Sequence, residues 1–389
     1  MATPIELQMS LLLFVALAGY LIAARINQSA VIGVILAGLL IGPSGLGLVT
    51  HSEFVGSIAH LGAIILLFAI GLEFRLNDIV KFRYLVIASV GVVLPFIGGY
   101  LIADFFDHTF ASSIFIGAAL TATSIAITAS VLKEMGKLQT DAAKAIIGAA
   151  VIDDVLALLV LSFSEQLVAG AISYSSLLVI TLKAIGFVGF GAFLGYKYIS
   201  RIIEKIDKTK IVLKYPEFTF IFAMMFAFLY ATIASVVGLS GIVGAFLAGV
   251  SLSGVKTTHG KDYREGAEYL HIIFASVFFV SLGILANLRE LSFTFGTVGF
   301  FLMLLVVAVI TKVIGCGLPA KLQGMSRRDS LVVGFGMSPR GEVGMIIALI
   351  GLNLGIFGQD IYVSLILMAL LTTVLTPIIL RNWLYKSNN

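Results

Sequence analysis

Charge is what this sequence has least of: 12% of its 389 residues are Asp, Glu, Lys or Arg. A soluble domain carries about 25%, so these residues cannot cover a water-facing surface. Cysteine is nearly absent as well. The single Cys316 excludes an internal disulfide and any cysteine-cluster metal site. His51, His60, His108, His259 and His271 show no metal-ligand spacing. No GxxxxGK[ST] phosphate loop occurs, which argues against direct coupling to ATP. No span is rich enough in arginine to sense voltage. No nucleophile–base arrangement stands out, so neither an enzyme nor a cofactor is expected. The net charge of +4 is too small and too scattered to signal nucleic acid.

What the chain has instead is apolar length. Hydrophobic residues make up 59% of it, and 40 glycines lie mostly inside the apolar runs, where small residues let membrane helices approach closely. Repeated runs of about 20 apolar residues mark an all-α polytopic membrane protein. Thirteen spans are expected, at 7–24, 29–49, 55–72, 84–106, 110–132, 142–169, 173–200, 216–236, 240–254, 269–286, 293–319, 328–353 and 361–383. Met1 to Glu6 lacks the positive n-region of a cleaved signal peptide, so the first run is expected to be retained as a span.

Basic residues segregate across these spans. Of the 25 lysines and arginines, 21 fall on one side and only Arg289 on the other, with Lys183, Lys312 and Arg340 inside spans. The positive-inside rule then expects the N-terminus outside the plasma membrane and the C-terminus in the cytoplasm.

An internal repeat is also visible. Gly33 to Gly38 matches Gly244 to Gly249 at an offset of 211, and Phe68 to Leu72 matches Val280 to Ile284 at 212. The copies start in spans 2 and 9, an odd number apart, so they run in opposite orientations. Inverted repeats mark secondary transporters, whose sites lie near the midplane on interrupted helices. Span 5 contains the polar stretch Thr121 to Thr128, and adding 212 lands on Val333 to Arg340, with two glycines and Pro339. A pair of broken helices is expected there. The expected organisation is a first repeat plus linker span over 1–200, a basic cytoplasmic loop over 201–215, and a second repeat over 216–389.

The most costly feature is Asp153-Asp154, set in the run Gly148 to Leu161. One charge at membrane depth costs at least roughly 2.5 kcal/mol and marks a functional candidate. Adjacent helical residues point about 100° apart, so one acid can face a cavity while its neighbour turns to another span. Carboxylate oxygens suit small hard cations, for which protons compete; a buried, hydrogen-bonded acid pair without transport is the plainer alternative. Lys312 is the candidate counter-charge, unless it snorkels to a membrane face. Pairing it with Asp153 leaves Asp154 as the principal cation ligand. Thr123 and Ser124 could add hydroxyl and freed backbone oxygens, or merely cap the broken helix. Arg340 and Glu342 flank the second interruption, where they could neutralise helix-dipole ends or pair with each other; a structural role is expected. Glu73 and Arg75, near a cytoplasmic span end, read as surface or gate residues, with a loop salt bridge as the plainer expectation.

These stretches resemble the sodium/proton antiporters of the monovalent cation:proton antiporter-2 family, NapA type. The carriers are Val31-Ile32-Gly33 with Gly38, Ile41-Gly42-Pro43, Leu67 to Glu73, Ala122-Thr123-Ser124, Gly148 to Val155, Lys312, and Pro339 to Gly344. The related Kef-type potassium transporters usually carry Gln-Asp in place of the acid pair and add a nucleotide-binding domain. The resemblance implies a homodimer, with a core domain of about 55–169 and 269–353 plus the last span, and a dimerisation domain from the remaining spans. It implies cation and proton binding at Asp154, and a Lys312–Asp153 salt bridge that breaks when the cation binds. Elevator-like movement and electrogenic exchange of two protons for one Na+ (or Li+) are implied in the same way. The rival readings are a K+/H+ antiporter of Kef-like type, a gated cation channel and an organic-anion symporter.

Overall fold

The computed structural model describes residues 5–79, 81–170, 172–255, 263–290 and 294–386, without the side chains of Glu290 and Glu342. Lys256 and Lys261, counted above among the basic residues, and the side chain of Glu342 therefore lie outside the described residues. Helices account for the architecture: α1 (Ile5–Arg25), α2 (Ala30–Ile41), α3 (Glu53–Gly71), α4 (Phe82–Phe105), α5 (Phe110–Ala119), α6 (Ile125–Glu134), α7 (Asp141–Val168) and α8 (Tyr174–Leu194) come first. Then follow α9 (Phe218–Val236), α10 (Gly241–Leu252), α11 (Tyr263–Leu285), α12 (Phe295–Leu322), α13 (Arg327–Gly336), α14 (Glu342–Asn353) and α15 (Gln359–Ile379). Among the described residues, nine helices are long and apolar enough to cross a bilayer, and four shorter apolar helices accompany them. Taking α5–α6 and α13–α14 as two interrupted spans recovers the thirteen expected from hydropathy.

Two boundaries differ from expectation. α2 ends at Ile41 rather than near 49, because Gly42-Pro43-Ser44-Gly45 supplies a turn instead of helix continuation. α8 continues through a π-type turn at Gly195–Ile199 into a further helix, Ser200–Asp207. The expected basic loop 201–215 is therefore largely helical, with Lys210–Lys214 forming another short turn. Its apolar residues recur at helical spacing between the lysines, and Ile203 and Val212 are buried.

The repeat is written into the helix contacts. A Cβ on Gly33 would strike the Gly19 backbone and approach Ala23 Cβ to 2.7 Å. On Gly244 it would strike the Tyr230 carbonyl and approach Ala234 Cβ to 2.8 Å. Every residue of the second set lies 211 beyond its counterpart, so α1–α2 and α9–α10 are the same close-packed hairpin. Farther along, a Cβ on Gly117 would lie 2.7 Å from the Phe96 carbonyl and one on Gly334 2.7 Å from the Val313 carbonyl, and here the offset is 217. Thr109 and Ser326, also 217 apart, cap α5 and α13 by accepting from the backbone N–H three residues on. The second copy thus gains about five residues before these helices. The interruptions accordingly fall at 120–124 and 337–341. A constant offset of 212 put them several residues off: 125–128 is helical, and the second break starts at Met337 rather than Val333.

The chain divides into two compact units, one of residues 1–56, 81–173 and 279–389, the other of 57–80 and 174–278. In the first, α4 and α12 pack through Gly91 against Cys316 and Gly315 against the Val90 carbonyl, and α5, α7, α13 and α15 surround them. In the second, α3 and α10 meet at Gly71 and Gly249 with backbone nearly touching backbone. These units follow packing. A division into core and dimerisation domains is a matter of movement and is taken up below.

Candidate functional site

Both interruptions lie in the first unit, and the two strands of broken backbone are bonded to each other. Thr121-Ala122-Thr123-Ser124 offers hydroxyls and two β-branched residues that compete with helix hydrogen bonding. The Thr121 hydroxyl donates to the Ala118 carbonyl at 2.7 Å as α5 ends. On the other side Pro339 lacks an N–H and disfavours helical geometry at Ser338. The Ser124 N–H donates to the Pro339 carbonyl at 2.8 Å. The Thr123 hydroxyl donates to the Met337 carbonyl at 3.3 Å, and the Thr128 hydroxyl to the Gly336 carbonyl at 2.6 Å. Ser124 and Gly341, the residues that open α6 and α14, are themselves 217 apart and touch. A Cβ on Gly341 would lie 2.6 Å from both Ser124 Cβ and Oγ.

Two cationic side chains lie at the C-terminal end of α5. Lys312 Nζ donates to the Thr121 carbonyl at 2.8 Å and to Asp153 Oδ1 at 2.9 Å. Lys312 is fully buried and Asp153 is 1% exposed, so this lysine does not snorkel. Arg340, also 1% exposed, donates through Nη1 to the Ala122 carbonyl at 3.0 Å and through Nη2 to the Ala308 carbonyl of α12 at 3.3 Å. Its own backbone is held by α15: the N–H donates to Thr372 Oγ1, and its carbonyl accepts from the Thr373 hydroxyl. Orphan carbonyls at a helix C-terminus carry partial negative charge. Two cationic side chains donate to carbonyls here.

The acid pair sits at the middle of the 28-residue α7. Asp153 faces Lys312, while Asp154, turned about 100° away, is only partly buried. Among the described residues no group of three or more His, Cys, Asp or Glu could hold a metal ion. The polar cluster is therefore two neighbouring acids, a buried lysine and freed backbone. The repeat explains why it occurs once. Position 95 corresponds to Lys312 at the 217 offset and is a proline, and position 123 corresponds to Arg340 and is a threonine. The charges break the repeat's symmetry.

Of the expected site residues, Asp153, Lys312, Thr123, Ser124 and Arg340 converge on the interruptions, with Asp154 beside Asp153. Arg340 reaches carbonyls of the first break and of α12, and the side chain of Glu342 lies outside the described residues. Glu73 and Arg75 belong to the other compact unit. Thr121 and Thr128 bound the polar stretch noted above but were not named as site residues, and Thr372 and Thr373 were not singled out. The last two could have been found as adjacent hydroxyls in an otherwise apolar span.

Comparison with known proteins identifies the family. The transmembrane sodium/hydrogen exchanger family matches residues 11–386. The chain is 33% identical to the Na(+)/H(+)-K(+) antiporter GerN of Bacillus cereus over 95% of this chain and 94% of that one. It is 33% identical to a Na(+)/H(+) antiporter of Enterococcus hirae over 97% of each. Its fold matches the sodium proton antiporter MjNhaP1 of Methanocaldococcus jannaschii with a TM-score of 0.71, at 17% identity, over 97% of this chain and 96% of that one. The chain belongs to the sodium/hydrogen exchanger family of multi-pass membrane transporters.

Proposed function

We propose that the protein is a secondary-active antiporter that expels Na+, or Li+, in exchange for protons by alternating access. The observation that carries this reading is the buried Lys312–Asp153 pair, docked on a freed carbonyl of a broken helix and adjacent to the partly accessible Asp154. In this scheme Asp154 is the exchange carboxylate, binding either the cation or a proton. Asp153 holds Lys312 while the site is empty and is released as the cation binds. Thr123 and Ser124 lie at the same break, where hydroxyl and backbone oxygens complete a hard-ligand set. Arg340 fixes the break's geometry, since it bonds backbone of the first break and of α12 and need not change charge. Coupling arises because an empty core with uncompensated charge crosses the membrane poorly.

The remaining parts of the reading follow. The Lys and Arg distribution supports an N-terminus outside the plasma membrane and a cytoplasmic C-terminus. The broken-helix spans act as a moving core, and the protein works as a homodimer. The exposed Leu178, Leu182, Ile185 and Phe190 of α8, with open space beside Gly186 and Gly189, would suit a second copy. Potassium is the second cation to consider, because GerN is named for it as well as for sodium.

The test is reconstitution into liposomes with an internal pH dye and a series of sodium, lithium, potassium and choline. Proton movement driven by sodium and lithium, but not choline, is expected. A response to potassium alone would move the assignment to K+/H+ exchange. Cation flux without proton movement would replace antiport by a channel.

A further inference from the structure

Resting on the reading of a moving core, we infer that Glu134 and Arg381 form a clamp between the end of a broken helix and the α1–α2 turn, and that this clamp must open in each transport cycle. Glu134 is the last residue of α6, the half-helix that starts at Ser124. A carboxylate there faces the negative end of its own helix, which is unfavourable. It is used on a different helix. The Glu134 carboxylate accepts from the Ser29 hydroxyl at 2.6 Å and from the Ala30 backbone N–H at 3.2 Å. Ser29 opens α2 but makes no side-chain cap of its own, so α2 is capped by an acid from a helix more than a hundred residues away.

The clamp has a third member. Arg381 donates from Nη1 to Glu134 Oε1 at 3.1 Å and from Nη2 to Asn27 Oδ1 at 2.9 Å. Next to it, Asn382 Nδ2 donates to Gln28 Oε1 at 3.3 Å. Asn27 has φ +53°, the left-handed region that asparagine tolerates better than most residues. Both Arg381 and Asn382 lie in a π-type turn, Leu380–Leu384, that follows α15. Such turns interrupt α-helices most often at functional positions. The end of α6 and the end of α15 thus grip the same four-residue turn, and all these groups belong to one compact unit.

A fixed structural role would call for buried, apolar contact. Instead the Glu134–Arg381 pair is about 28% exposed, and ion pairs of that exposure hold only weakly. Weak, multiple and polar contacts between an element expected to move and one expected to stay are what a releasable closure requires. With the spans oriented as proposed, the clamp lies on the cytoplasmic side.

Two measurements test it. In a Gln28→Cys/Asn382→Cys protein, with the buried Cys316 retained, a short reducible thiol cross-linker should slow sodium-driven proton movement at least tenfold, with recovery on reduction. Cross-linked protein that exchanges at the reduced rate overturns the clamp. Independently of transport, Glu134→Ala should raise amide hydrogen exchange in the first turn of α2 at least tenfold; unchanged protection there also overturns it. If that protection is lost while no protein moves cations, the clamp stands and the antiport reading fails.

Discussion

Replacing Lys312 by Met removes the ion-pair partner that Asp153 has at 2.9 Å and one donor to the Thr121 carbonyl. Breaking a buried ion pair from one side costs about 3–5 kcal/mol, because the remaining charge stays buried without compensation. Asp153→Asn should cost a similar amount through Lys312. The double variant keeps neither charge, and its residual cost is that of an under-bonded carbonyl, about 1–3 kcal/mol. The cycle should therefore close with a coupling of at least about 3 kcal/mol, the double variant being more stable than either single one. Thermal unfolding of the four purified proteins in one detergent reads this directly. Costs that add to within about 0.5 kcal/mol would refute the pairing and return Lys312 to a merely packed side chain.

Two further outcomes follow. Gly341→Ala should abolish folded protein by forcing Ser124 away from the crossing, and adding Ser124→Gly should restore much of it; expression and size-exclusion profiles decide, and failure of that rescue would count against the contact. His108, in the turn between α4 and α5, packs edge-on against Phe300 at 4.9 Å, and burial lowers its pKa while Asp107 opposes the shift. Its folded pKa lies below the unfolded value near 6.5, so the unfolded state binds the proton more readily and stability falls as pH drops through that value. His108→Phe should flatten the melting-temperature profile between pH 7 and 5, and an unchanged profile would show that the histidine is not responsible.

Much of this molecule was legible because the membrane makes charge conspicuous. Thirteen apolar runs gave the spans, and the cost of Asp153, Asp154 and Lys312 at depth singled them out before any contact was known. The interruptions were located only to within several residues. Membrane helices draw on few residue types, so the five-residue shift from an offset of 212 to 217 left no trace in the sequence match; it emerged only from which backbones touch. Arg340 was read as a structural charge, but nothing in Pro339-Arg340-Gly341 tells that it reaches Ala122 and Ala308. Glu134 and Arg381 were invisible for the opposite reason. Charges at span ends are ordinary, and only their convergence on Asn27, Ser29 and Ala30 distinguishes them. The basic stretch after α8 was misread as loop because its lysines drew attention from the apolar residues between them.

The most direct test of the account concerns the carboxylate that is not in the lysine pair. Wild-type, Asp154→Asn and Asp153→Asn proteins would be reconstituted side by side, with proton movement recorded on addition of sodium. The account predicts robust exchange in the wild type and none with Asp154→Asn, with altered but measurable exchange in Asp153→Asn. Sodium-dependent proton movement that survives Asp154→Asn at the wild-type rate would contradict it.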